Sequence, residues 1–348
     1  MSAAQHPIAD PRRIDALTEA AVMALRQALQ AVPFDDPCGY GVPLAALIDP
    51  AVHDPLAADE HTRQVPRMPL DISAIDRTLS PYLLILGGAI LGERALNASV
   101  RMAVQECLGM HDTEAGRPRS VCAWLVHAQP QEADWHQVRA ALNRRAWVVP
   151  PTNEPRKVMR FWDPRITTQL PATFGGDTWQ ECLQALGVQQ WWTLTEDATL
   201  TRVGADRPPP SRQARQRDWE LDTAQWHGLR VLAWRNVIAQ AATNWELPQQ
   251  PQAQVLDDIA RRAFDHGMRD NTDMLPFAHL ALTVHPLFDR HPQVMRALKD
   301  WQQSGRVARG FAKRTEDWGQ DFLALLQGGT WLNDGPPPAH SALFNPTI

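Results

Sequence analysis

The spacing of apolar and polar positions divides this chain into two regions of different period. Ile14, Leu17, Ala21, Ala24/Leu25, Ala28 and Val32 recur at helical spacing, with Asp10-Pro11 as the cap and Pro33 as the stop. Residues 40–48 then read as a strand leading into an Asp49-Pro50 turn, and residues 66–71 as a polar loop. Residues 81–86 and 121–128 are continuous apolar runs, the pattern of strands covered on both faces. Between them Leu96, Val100, Ala103/Val104 and Cys107 mark one face of a helix, with Gly109 as its stop. Asp134 caps another helix through Trp135, Val138, Ala141 and Leu142. Residues 147–149 and 158–162 predict a hairpin across Pro150-Pro151-Thr152-Asn153. Asp163-Pro164 then starts a helix, because Asp at N-cap accepts orphan N–H bonds and Pro at N1 needs no donor. Gly175-Gly176 closes it, and a helix over residues 179–186 and a strand over 190–195 finish the unit.

After residue 202 the pattern changes. Residues 203–217 hold Arg207-Pro208-Pro209-Pro210 and then Arg212, Arg215 and Arg217 with almost nothing apolar, the composition of an exposed linker. From residue 218 the period is helical throughout. Trp226, Leu229, Ala233, Val237 and Ala241 form one stripe, and Leu256, Ile259 and Ala263 a second. A third helix opens at Thr272 or Asp273, a fourth at Pro292, and Phe311, Thr315, Trp318, Phe322 and Leu325 line a fifth. The expectation is an α/β (α+β) N-terminal lobe around a mixed sheet, followed by a smaller all-α lobe. Its bounds are an N-terminal helix over 1–33, an α/β domain over 34–202, a linker over 203–217, a helical lobe over 218–328 and a flexible tail over 329–348.

Composition adds what the pattern lacks. A hydrophobic fraction of 44% and a charged fraction of 21% over 348 residues are those of a soluble protein with a sizeable core. A net charge of -5 argues against nucleic acid or an anionic membrane as partner. Cys38, Cys107, Cys122 and Cys182 are widely spaced, which is neither a disulfide framework nor a zinc signature, and a reducing cytoplasm fits. Residues 1–13 lack the basic start and apolar core of a signal peptide, and residues 81–91 are too short and glycine-rich to span a bilayer. The surplus of 14 Trp over 2 Tyr points to a Trp-rich core or an interaction surface.

Candidate chemistry is sparse. His266, His279, His285 and His291 have no i, i+3 or i+4 pair, so capping or surface roles fit them better than metal ligation. Asp257-Asp258 and Glu316-Asp317 are adjacent and point apart on a helix. Gly87-Gly88-Ala89-Ile90-Leu91-Gly92 lacks the spacing of a dinucleotide loop. With no catalytic, cofactor or metal signature, the expectation is a binding protein rather than an enzyme.

Three segments together carry a resemblance. They are Leu47-Ile48-Asp49-Pro50-Ala51, Ser80-Pro81-Tyr82-Leu83-Leu84-Ile85-Leu86, and the residue-121 strand with the Asp134 helix and Arg160-Phe161-Trp162-Asp163-Pro164-Arg165. They resemble the effector adaptor (chaperone) family of bacterial type VI secretion over residues 33–174. Arg119-Ser120 stands where relatives often have Trp-Gly. The resemblance implies a non-catalytic cytoplasmic adaptor that binds a toxin effector and helps load it onto a VgrG-type spike, without cofactor, nucleic acid or membrane. A toxin-neutralising immunity protein and a hydrolase with dispersed acidic and histidine residues are the alternatives. Within the hallmark, Arg160 and Asp163 are expected to form an internal ion pair or to touch the partner. Trp191 and Trp192 are the candidate interface anchors for the effector's N-terminal segment; adjacent strand residues face opposite sides, so at most one packs toward a given covered face.

Overall fold

A computed structural model describes residues 10–30, 44–50, 54, 56, 60–87, 90–109, 119–127, 134–152, 154–204, 219–303 and 310–333. The chain forms two compact units, Met1–Leu229 and Arg230–Ile348. The expected linker, apart from Val203 and Gly204, lies outside the described residues.

In the first unit the order is α1 (Pro11–Gln30), β1 (Leu44–Ile48), α2 (Glu60–Arg63), β2 (Arg67–Pro69), β3 (Tyr82–Ile85), α3 (Leu91–Cys107), β4 (Val121–His127) and α4 (Trp135–Arg145). Next come β5 (Trp147–Val149), β6 (Lys157–Val158), α5 (Pro164–Thr167), α6 (Leu170–Phe174), α7 (Gly176–Leu186), β7 (Val188–Leu194), β8 (Leu200–Arg202) and β9 (Trp219–Glu220). Helix α8 (Thr223–Ala242) contains the boundary between the units. The second unit continues with α9 (Ala253–Asp265), α10 (Asn271–Thr283), α11 (Pro292–Gln303), α12 (Phe311–Thr315) and α13 (Gln320–Gly328).

The large sheet runs β2-β3-β1-β4-β7-β8. Each of its pairings is antiparallel, and the parallel pairing, β5 with β9, belongs to a small sheet β6-β5-β9. The fold is thus α+β, and the main sheet is antiparallel rather than mixed. The continuous apolar runs report cover on both faces, not strand direction. Along β1, Ala45 and Leu47 enter one core, while Leu44, Ala46 and Ile48 enter another. The first core holds Val138 and Leu142 of α4, Leu183 and Leu186 of α7, and the aromatic side chains of the hallmark. The second is closed by Ile14, Val22 and Leu25 of α1 and by Leu96, Val100 and Val104 of α3.

Caps appear where the sequence puts them. Asp10 accepts from the Arg12 N–H at 3.0 Å and Asp134 from the His136 N–H at 3.0 Å. Five local expectations change. Residues 67–69, read as loop, pair with β3. The strand expected over 158–162 ends at Val158, because Phe161 and Trp162 turn fully into the core. Trp219–Glu220 lies in the region read as helical, yet pairs with β5. The fifth C-terminal helix is two, α12 and α13, with Gly319 as the N-cap of the second. Residues 330–333, assigned to the tail, form a 3-10 turn. Val231, Ile238, Ile259, Phe277, Phe288 and Leu298 are among the residues of a separate core in the second unit. Among the described residues, no helix is long and apolar enough to cross a membrane.

Candidate functional site: a buried carboxylate hub

Asp49 leaves the end of β1 and turns its side chain inward, to 2% exposure. Its backbone N–H donates to the Ser120 carbonyl at 2.7 Å, fixing the strand end against the start of β4. One carboxylate oxygen, Oδ2, accepts from Arg160 Nη2 at 2.5 Å and from the indole Nε1 of Trp162 at 2.6 Å. These are charge-assisted bonds from donors 111 and 113 residues away in sequence.

The hallmark supplies its donors from a tight turn. The Asp163 N–H donates to the Arg160 carbonyl at 3.0 Å, so residues 160–163 reverse the chain just before α5. Phe161 and Trp162 are both 0% exposed. The Phe161 ring stands 5.3 Å from Trp162, 5.9 Å from Trp191 and 5.7 Å from Trp219, within the range of favourable aromatic pairs. Asp163 caps α5 by accepting from the Arg165 N–H at 3.0 Å, and Pro164 is the first helical residue. The same carboxylate receives the Arg165 guanidinium, Nε at 3.0 Å and Nη2 at 2.6 Å.

The expected Arg160–Asp163 pair is therefore replaced by two others, Arg160–Asp49 and Arg165–Asp163. The reason is local. The Asp163 carboxylate is committed to the helix N-terminus, where Arg165 emerges one step along, while Arg160 precedes the turn and reaches β1 instead.

A second buried carboxylate continues the network. Glu106, near the end of α3, accepts from the Ser120 N–H at 3.1 Å, from the Ser120 hydroxyl and from the Val121 N–H at 3.3 Å. Burial raises its pKa above the usual carboxylate range, against the lowering effect of these bonds and of the Arg119 charge. Arg119 donates to the carbonyls of Leu194 at 2.8 Å and Thr195 at 3.1 Å. The Arg119-Ser120 pair thus ties β4 to α3, to β1 and to the end of β7. Glu106 was missed by sequence reasoning, although a signal existed: it sits three residues beyond Ala103 on the buried stripe of α3.

Arg160 and Arg165 retain 34% and 14% side-chain exposure, while Phe161, Trp162, Asp163 and Pro164 are buried. The arrangement is a clamp. It closes one end of the sheet through charges that are paired, which is how buried charge is tolerated, although the Arg160 Nε is buried without a hydrogen-bond partner among the described residues. Cys122, two residues past Ser120, has its thiol pushed well up by burial and then by the charges of Asp49 and Asp163, which disfavours the thiolate.

Trp191 and Trp192 separate as the strand period requires. Trp191 is 0% exposed and belongs to the hallmark's core, whereas Trp192 is partly buried against the opposite core. The Trp192 indole N–H donates to Gln190 Oε1 at 3.0 Å. Of the pair, only Trp192 reaches the surface. The indole N–H groups of Trp179 and Trp191 are buried without a hydrogen-bond partner among the described residues, and their rings meet edge-on at 6.2 Å.

The histidines of the second unit are engaged within it. His266 shares Asp289 with Arg262, at 3.1 Å from Oδ2. The His279 ring packs edge-on to Trp245, and His285 and His291 accept backbone N–H groups. Asp258 pairs with Arg262 one helical turn on, at 2.9 Å. No family model, no curated protein and no solved structure matches the chain.

Proposed function

We propose that this chain is a non-catalytic adaptor that holds a type VI secretion toxin effector by its N-terminal segment in the cytoplasm and helps load it onto a VgrG-type spike. One observation supports the reading: the segments that carry the resemblance meet at one place. Asp49 of the first segment binds Arg160 and Trp162 of the third, and the strand of the second pairs with β1 from Ala45↔Ile85 to Ile48↔Tyr82. The likeness is therefore carried by parts of one built scaffold rather than by unconnected short strings. Because most hallmark side chains are buried, partner contact falls to residues outside their core.

Trp192 is the anchor we assign to the effector, since it combines a large ring with partial exposure. Immobilised effector N-terminal segment should capture the wild-type chain. Trp192→Ala should keep the fold and weaken capture about tenfold or more, the equivalent of about 1.4 kcal/mol. Trp191→Ala should instead cost about 3–5 kcal/mol of stability, as for other buried aromatics. Undiminished capture by Trp192→Ala removes the anchor assignment. A purified chain that turns over a substrate and retains no secreted partner removes the adaptor reading.

A further inference from the structure

His285 and His291 share one local construction in the second unit. Each precedes a proline and accepts, on Nδ1, the backbone N–H two residues on: Leu287 at 3.1 Å and Gln293 at 3.2 Å. An accepting Nδ1 carries no proton, so each bond requires the ring hydrogen on Nε2. The second bond satisfies one of the orphan donors at the start of α11. Trp331 lies between the two rings, its centroid 5.4 Å from His285 and 5.3 Å from His291, edge-on to both. Phe322 of α13 meets His291 at 5.3 Å. The Trp331 indole N–H donates to the Leu326 carbonyl at 3.1 Å, which ties the 3-10 turn Thr330–Asn333 to α13 as one strap. At Gly329, with φ +64°, an added Cβ would lie 3.1 Å from His285 Nε2, so the turn rests directly on that ring. Beyond the two histidine rings, the strap is moored by Leu326, the buried residue of α13, and by Phe322, whose ring meets Trp318 edge-on at 5.3 Å.

We propose that the His285–Trp331–His291 stack is a proton-operated clasp, holding the strap 320–333 in place at neutral pH and releasing it as His291 protonates. Protonation puts a hydrogen on His291 Nδ1 against the Gln293 N–H, and that cap fails under the Trp331 ring. Burial, reinforced by the charge of Arg296, holds His291 below the usual imidazole range. The closed form thus prefers the neutral ring, whereas the open form binds the proton at an ordinary value. Closure is fully present above about pH 6.5 and is lost as pH falls through the lowered value.

The charged surroundings agree with this direction. Helix α11 contributes Arg296, the 3-10 turn Phe288–Arg290 contributes Asp289 and an exposed Arg290, and α13 contributes an exposed Asp321. Asp289 is engaged by Arg262 and His266, and the His279 ring of α10 packs on Trp245. Phe322 and Trp331 carry no charge. Among the described residues neither clasp ring has a carboxylate partner to favour its protonated form.

The test is hydrogen exchange on the full chain at pH 7.5 and 5.5, corrected for intrinsic rates. Protection of residues 320–333 should fall by up to about tenfold, since an open His291 ring of ordinary pKa is about ten-elevenths protonated at the lower pH. Helices α9 and α10 should keep their protection. His291→Asn supplies an acceptor for the same N–H without titrating, and should reduce the pH response with α11 still formed. Unchanged protection across the range overturns the proposal, as does a full pH response in both His285→Asn and His291→Asn. Should a variant leave the strap open at every pH, the wild type decides. Opening must then track the His291 ring titration followed by its Hε1 resonance, and a departing midpoint overturns the clasp.

Discussion

Asp49→Asn tests the hub most sharply. The native carboxylate accepts Arg160 at 2.5 Å and Trp162 at 2.6 Å from a side chain 2% exposed. Asparagine keeps the size and one acceptor oxygen, removes the charge, and presents an NH₂ to a site filled with donors. A buried Trp162 N–H left without an acceptor costs about 1–3 kcal/mol. Breaking a fully buried ion pair costs about 3–5 kcal/mol. Arg160 is 34% exposed, however, so water recovers much of its solvation and its share falls to about 1–2 kcal/mol. The remaining oxygen can serve one of the two donors, which places the net loss at about 2–3 kcal/mol. Arg160→Met removes the other partner, and the double variant should lose less than the sum, with a coupling of about 1–2 kcal/mol. Because the chain has two units, a single global melt is not two-state, and exchange of β1 and β4 peptides in rising urea reads the first unit alone. Additivity within about 0.3–0.5 kcal/mol would refute the hub.

Three further outcomes are expected. Glu106 has a raised pKa, so its contribution is fully present below the ordinary 4.5 and is lost as pH rises through the raised value; Glu106→Gln should flatten that slope in a stability–pH profile, and an unchanged slope contradicts the assignment. In Gly92→Ala the new methyl would press on the Leu86 carbonyl oxygen, backbone that cannot rotate away. Overpacking of about 1–3 kcal/mol then outweighs the helix-propensity gain of about 1 kcal/mol, and stronger protection of α3 and β4 peptides in urea would show the reasoning wrong. Burial by itself would raise the pKa of Asp289, but the His266 hydrogen bond and the Arg262 charge outweigh it and hold the carboxyl below 3.8. Its contribution is present above that value and lost as pH falls through the lowered one. Asp289→Asn should cost the second unit about 3–5 kcal/mol and blunt its acid transition, and acid titration of the variant against wild type decides.

How far the sequence carries depends on whether a feature is local. The caps at Asp10, Asp134 and Asp163 follow from one residue and its neighbours, and each accepts the N–H two residues on. The opposite faces of Trp191 and Trp192 follow from the strand period, and the register Leu125↔Trp191 and Trp124↔Trp192 keeps them apart. Ion-pair choice is different. Arg160 and Asp163 are close in sequence, but Asp49 and Arg165 win them by the geometry of a turn that no spacing rule describes. Strand direction was hidden for a related reason: β1 and β4 are apolar throughout because both sheet faces are covered, so their composition is silent on which neighbour runs which way. The two-residue strand β9 is fixed by its pairing with β5, which lies far away in sequence.

The adaptor reading is tested most directly by mixing three purified proteins: this chain, a toxin effector and a VgrG-type spike. The account predicts that effector and spike co-migrate on size exclusion only when this chain is added, and that effector bound to this chain keeps its toxic activity in vitro. Effector that joins the spike unaided, or a chain that abolishes the toxin's activity without promoting spike association, would contradict it.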